Sequence, residues 1–303
     1  MRFVSFSRPD AEQNPAPHLG VLLDQDREIL DVFSALKVPE HTHKARSSYL
    51  EWFDLDGDLF PQIQNVVSRA AECRDDFEKS ILKRSDVKLL APVPFPGKVI
   101  CIGLNYRDHA IESGMDIPEN PLVFSKFPTS VTGPDEPIIL PEGSEKADYE
   151  AEMAVVVGKR TKNVSADEAF DYVFGYTNLN DVSERGFQFA DGQWQRGKSC
   201  DTFAPTGPFI ATKDEIPDPH SLSIKLRLNG ETLQDSSTNQ LIFNVPELIS
   251  YLSKTVTLEP GDLIATGTPP GVGFARKPPV YLKKGDIVEV EVEGLGTLSN
   301  PVE

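Results

Sequence analysis

The sequence predicts a mixed β, α+β fold, with a small N-terminal α+β domain over residues 1–94 and a larger, β-rich domain over 95–303. Three observations predict it. Short runs rich in Val, Ile and Phe recur along the chain, bounded by Gly, Pro and Asn, which is strand-and-turn chemistry. Helical spacing is confined to a few stretches, chiefly within Tyr49–Cys73, where Leu59, Ile63, Val66, Val67 and Ala70 fall roughly on one face. Between the halves, Leu90-Ala91-Pro92-Val93-Pro94-Phe95-Pro96-Gly97 is a stiff break.

The bulk properties bound the function. The 303 residues, 39% of them hydrophobic, suffice for a sizeable core, and no apolar run is long enough to span a bilayer. Met1–Ser7 is too short and too soon interrupted to read as a signal peptide. A net charge of -17 argues against nucleic acid or an anionic membrane as partner. An anionic substrate would therefore need a local positive site. Cys73, Cys101 and Cys200 are too few and too scattered for a disulfide framework. They fit a reducing compartment, expected to be the cytoplasm, with the mitochondrial matrix left open for a eukaryotic source. Cys200 reads better as a small core residue than as a nucleophile.

In chain order, Arg2–Ser7, Leu19–Leu23 and Ile29–Val32 are short strand candidates. His41 and His43 stand in a polar stretch without further ligand types nearby. Lys98–Gly103 reads as a strand leading into a short helix within Leu104–Gly114. There His109 and Glu112, three apart, share a face, which makes an oriented acid or base or an ordinary surface pair. Leu122–Phe127 and Ile138–Leu140 are further strand candidates.

Tyr149–Gly158 carries two carboxylates and then a Val-rich run, a buried strand bounded by Gly158. Alternation puts Glu150 and Glu152 on one face, where two carboxylates repel and resist desolvation. Asp181 ends a second strand candidate, Tyr172–Asn180, and reaches the same point if the strands are neighbours. Three oxygen ligands with no His or Cys beside them suit a hard cation, Mg²⁺ or Mn²⁺; solvated surface acids are the alternative. Arg185 and Gln188 follow Asp181 at helical spacing, and Arg is the natural two-pronged binder of a carboxylate. The loop Gln193–Cys200 carries Trp194 and Lys198. Ser223–Leu228, Leu263–Thr266 and Ile287–Val292 alternate as strands, Pro246–Leu252 reads as a helix with Pro in its first turn, and Thr266–Gly273 is a loop dense in Gly and Pro. Phosphate-loop and dinucleotide fingerprints are absent.

Six stretches in order resemble the fumarylacetoacetate hydrolase family over about residues 98–303. They are Ile102–Tyr106 with His109 and Glu112, Tyr149–Glu152, Asn180–Arg185, Gly197–Ser199, Leu258–Asp262 with Thr266–Val272, and Gly285–Asp286 with Gly294–Asn300. The subgroup of fumarylacetoacetate hydrolase domain-containing proteins is the nearest. The resemblance implies a β-sandwich roll, a homodimer, and Mg²⁺ or Mn²⁺ on Glu150, Glu152 and Asp181. It implies a lid pair, His109 and Glu112, that moves a proton or activates water. Arg185, Gln188 and Lys198 would hold substrate or stabilise charge, and Thr268 would contact a substrate carboxylate. Fumarylacetoacetate hydrolase itself has an additional upstream aspartate ligand with no clear counterpart here. The implied reaction is hydrolytic C–C cleavage of β-diketo or 2-keto acids of the acylpyruvate or fumarylacetoacetate type. Oxaloacetate decarboxylation or tautomerisation is the close alternative, with 2-hydroxymuconate-type isomerisation or hydration behind it, because all pass through an enolate. A family member that binds a metabolite without converting it is the reading from another class.

Overall fold

The computed structural model describes residues 1–8, 16–39, 49–190 and 192–303, so His41 and His43 lie outside the described residues. Its main sheet has 12 strands. Along the path these are Ile81–Lys83, Glu28–Asp31, His18–Leu23, Arg2–Ser7, Ala204–Thr212, Val173–Asn180, Ala151–Val157, Leu263–Ala265, Val99–Gly103 and Leu122–Lys126. Lys88–Leu90 and Val131–Thr132 pair off this path. A 4-stranded antiparallel sheet runs Glu231–Ser237, Ser223–Leu228, Ile287–Val292, Thr297–Pro301.

The strand Ala151–Val157 shows why the core has two faces. Every one of its residues is buried. Met153, Val155 and Val157 pack with Ile224, Leu226 and Val290 of the smaller sheet. Ala154 and Val156 point the other way and pack with Phe174, Phe3, Phe53 and Trp52. A strand buried on both faces loses the polar alternation of a half-exposed one and reads as a continuous apolar run, as this one does. The two proposed site strands are neighbours: Ala151 opposes Asn180 and Glu152 opposes Leu179.

Several elements differ from the sequence reading. The N-terminal helix occupies only Leu59–Glu72, preceded by a turn of 3-10 helix at Glu51–Phe53. Ile138 makes a single bridge to Val302 rather than a strand, because its neighbours bond the C-terminal residues one by one. The strand Ala204–Thr212 was not anticipated. Pro205, Gly207 and Pro208 read as breakers, yet the strand is buried throughout and lies between Arg2–Ser7 and Val173–Asn180. The pairing with Val173–Asn180 shifts register around Pro208, between Tyr176 and Asn178, which is how a sheet interior admits a residue lacking an N–H. The helix Val245–Thr255 starts as its sequence suggests, with Asn244 and Glu247 forming a reciprocal capping box.

Candidate active site

Glu150, Glu152 and Asp181 converge: one carboxylate oxygen of each lies within 4.8 Å of the others, and all three are buried. The backbone arranges this. Asp181 N–H donates to the Glu150 carbonyl at 2.9 Å, and the Asn180 side chain accepts from Glu150 N–H at 3.0 Å. The two strand ends are thereby stitched together at the point where their side chains meet.

Cations surround the carboxylates. Lys198 Nζ donates to Glu150 at 2.7 Å and to Asp181 at 2.8 Å. Lys126, fully buried, donates to the other Asp181 oxygen at 2.5 Å and to the Val182 carbonyl at 2.9 Å. Arg185 donates to Asp148 at 2.9 Å, to the Gln188 side chain at 2.9 Å, and to Glu150. Burial disfavours the charge on Glu150, but Lys198 and Arg185 outweigh it and hold its carboxyl down at about 2. For Lys198 burial works downward, yet Asp181 and Glu150 raise it above its ordinary value, so it stays an ammonium. Asp148 is raised by burial despite Arg185, and Glu152 is raised too. Burial, then the charges of Asp181 and Glu150, push its carboxyl well above the usual range. It accepts a hydrogen bond from Gly267 N–H at 2.8 Å.

The donor set fits a hard divalent cation. Four buried carboxylates, Asp148, Glu150, Glu152 and Asp181, face three buried cations, Lys126, Arg185 and Lys198. Glu152 forms no ion pair among the described residues, and its oxygens lie beside two carboxylates. A divalent cation at that point would favour the ionised form of Glu152 and offset the repulsion among the three carboxylates.

Above the carboxylates lies a cavity of about 440 Å³. His109, Glu112, Glu150, Glu152, Arg185, Gln188, Lys198 and Thr268 all line it, with Asp181 fully buried beneath. The short helix Arg107–Ser113 carries His109 and Glu112 and is closed by Gly114 at φ 62°. His109 Nδ1 is 3.1 Å from Glu112, and Glu112 accepts the Gly271 N–H at 3.0 and 3.1 Å. The Gly/Pro loop thus anchors the helix over the cavity. Thr268 Oγ1 accepts from Gln234 at 2.9 Å.

Two charged residues escaped the sequence reading. Lys126 was read only as part of a strand, although a Lys closing an apolar run is a signal of a paired buried charge. Asp148 holds Arg185 and also accepts from Gly273 N–H at 2.6 Å and Phe274 N–H at 3.1 Å. It stands two residues before Glu150, so the same alternation that pairs Glu150 with Glu152 includes it, but the spacing does not reveal its partner Arg185.

This fold and site define a class: the chain belongs to the fumarylacetoacetate hydrolase family, whose C-terminal family model matches residues 98–303. It is an enzyme of that family. It is similar at 43% identity over 304 residues to oxaloacetate tautomerase fahd2, mitochondrial, of Xenopus laevis, covering 100% of this chain and 90% of that protein. Among solved structures, fumarylacetoacetate hydrolase from Exiguobacterium antarcticum matches with a TM-score of 0.79 and 34% identity, covering 100% of this chain and 99% of that one. Maleylpyruvate hydrolase from Sphingobium sp. SYK-6, in complex with manganese (II) ion and pyruvate, matches with a TM-score of 0.79 and 29% identity over 100% and 98%. Among the described residues, no helix is long and apolar enough to cross a membrane.

Proposed function

We propose that this protein interconverts the keto and enol forms of a short 2-keto diacid of the oxaloacetate type with the help of Mg²⁺ or Mn²⁺. The observation that carries the reading is the convergence of Glu150, Glu152 and Asp181 beneath a cavity roofed by the His109–Glu112 pair. Full-length similarity to a protein named as an oxaloacetate tautomerase supports it.

Glu150, Glu152 and Asp181 would hold the cation, which supplies Lewis-acid polarisation of a keto oxygen and charge neutralisation as enolate forms. Arg185, braced by Asp148 and Gln188, offers its guanidinium to a substrate carboxylate. Gln188 and Thr268 add polar contacts that fix orientation. Lys198 stays protonated and sits where an enolate oxygen develops its charge. His109 exchanges the proton at C3. Its Nδ1 is engaged by Glu112, which leaves Nε2 as the exchanging atom and fixes the tautomer.

C–C hydrolysis of an acylpyruvate-type acid is the second reading. The likeness to a maleylpyruvate hydrolase favours it, and His109 would then activate water rather than move the C3 proton. Absorbance of enol-oxaloacetate and of acetylpyruvate, followed with and without Mg²⁺, tests both. Tautomerisation predicts rapid, Mg²⁺-dependent loss of the oxaloacetate enol, and no acceleration of either substrate would overturn both readings.

A homodimer is part of the proposal. Ile111 on the roofing helix and Phe127 beside the sheet's outer strand are 79% and 55% exposed, and a contiguous apolar patch containing them would be the kind of surface that marks an interface. Sedimentation at twice the 33.5 kDa chain mass is expected; a monomer at micromolar concentration would contradict it.

A further inference from the structure

The cavity is larger and more aromatic than a four-carbon diacid requires. Its volume of about 440 Å³ is room for roughly fifteen waters at about 30 Å³ each, whereas such a diacid has nine non-hydrogen atoms. Two aromatic pairs flank the cations. Phe124 lies 4.8 Å from Lys198 Nζ and meets Trp194 edge-on at 5.5 Å. Phe274 lies 4.5 Å from the Arg185 guanidinium and meets Phe189 at 6.3 Å. All four rings line the cavity.

The charges say what the rest of the space does not bind. Among the described residues the cations lining the cavity are Arg185 and Lys198. Each is already shared among carboxylates: Arg185 with Asp148 and Glu150, Lys198 with Glu150 and Asp181. A second, remote carboxylate on a longer substrate would meet no further cation and would lose its hydration against aromatic walls. An aryl group there would instead meet rings at the distances where edge-to-face and offset contacts are favourable.

We infer that this cavity also takes 2-keto acids carrying an aryl group on C3 and exchanges their keto and enol forms, an inference that rests on the enolate chemistry proposed above. The step is balanced without any co-reactant. The C3–H bond breaks, its electron pair forms the C2–C3 double bond, and the keto oxygen gains a proton; ketonisation is the reverse.

The test uses the Mg²⁺-loaded protein, with phenylpyruvate and oxaloacetate as probes and absorbance of the enol as readout. Ketonisation of enol-phenylpyruvate is expected to run at least about tenfold faster than in protein-free buffer. Trp194→Ala is expected to lower kcat/KM for phenylpyruvate about tenfold more than for oxaloacetate. Phe124→Leu, which keeps an apolar side chain, is expected to act in the same direction and serves if Trp194→Ala does not fold. Acceleration of oxaloacetate exchange with none of phenylpyruvate overturns this inference and leaves the proposed function standing. Acceleration of neither overturns both. Equal losses on the two substrates in the variants remove the aromatic wall from substrate recognition and overturn the inference too.

Discussion

At the scale of single residues, the site was legible where a strand's alternation carries the information. Glu150 and Glu152 had to share a face, and Asp181 had to join them if its strand lay alongside, which it does. The pairings of Lys126 and Asp148 were not legible, because their partners lie 55 and 37 residues away and no local period encodes such pairing. Lys126, Arg185 and His109 each make a prediction. Lys126→Met strips Asp181 of a fully buried partner and is expected to cost about 3–5 kcal/mol of stability, read as a lowered Tm; an unchanged Tm would mean that the pair adds nothing. Arg185→Leu is expected to raise KM for a keto diacid at least about tenfold with a smaller effect on kcat, and an unchanged KM would remove Arg185 from substrate binding. His109→Ala is expected to lose on the order of 10²–10⁴-fold in kcat while divalent-ion affinity persists, because His109 is outside the carboxylate cluster. Near-normal turnover would reduce the His109–Glu112 contact to an ordinary surface pair.

Elements were legible in proportion to how little they depend on distant chain. The helix Val245–Thr255 carries its own capping box and first-turn proline and lies within a few residues of its expected bounds. The strand Ala204–Thr212 was hidden, since Pro208 sits in a register shift against a strand that the local sequence cannot see. The roofing helix Arg107–Ser113 is held at Glu112 by the Gly271 N–H. Gly271 must stay a glycine: its φ is 101°, and an added Cβ would come within 2.1 Å of the Leu233 carbonyl. In the N-terminal part, Asp31 caps the short helix Val32–Ala35. Burial would raise its carboxyl, but His18, the Ser34 N–H and Arg8 hold it below the usual carboxylate range. A carboxyl depressed in the folded state contributes stability that is present above its unfolded value and lost as pH falls through the folded one. Asp31→Asn should therefore flatten the decline of Tm below about pH 4; an identical slope in the two proteins would show that Asp31 carries none of it.

At the scale of the whole molecule, the site depends on a sheet that the N-terminal end of the sequence helps to complete. Arg2–Ser7 pairs with Ala204–Thr212, which pairs with Val173–Asn180, the strand that delivers Asp181. We propose the division at 94/95 as one between two parts of the chain that fold together, and the pairing sets the test of that dependence. Residues 95–303 expressed alone would bare the edge of Ala204–Thr212, and an exposed sheet edge recruits other chains; aggregation or a markedly lowered Tm is expected, and a soluble fragment of full activity would contradict it. The central claim is that Glu150, Glu152 and Asp181 form one divalent-cation site serving the enolate reaction. Manganese titration followed by electron paramagnetic resonance, run beside enol-oxaloacetate ketonisation on the wild type and on Glu152→Gln, tests it most directly. The account predicts that occupancy and rate rise together in the wild type and that Glu152→Gln, folded as judged by an intact Tm, loses both. Manganese binding with wild-type affinity in Glu152→Gln would contradict it.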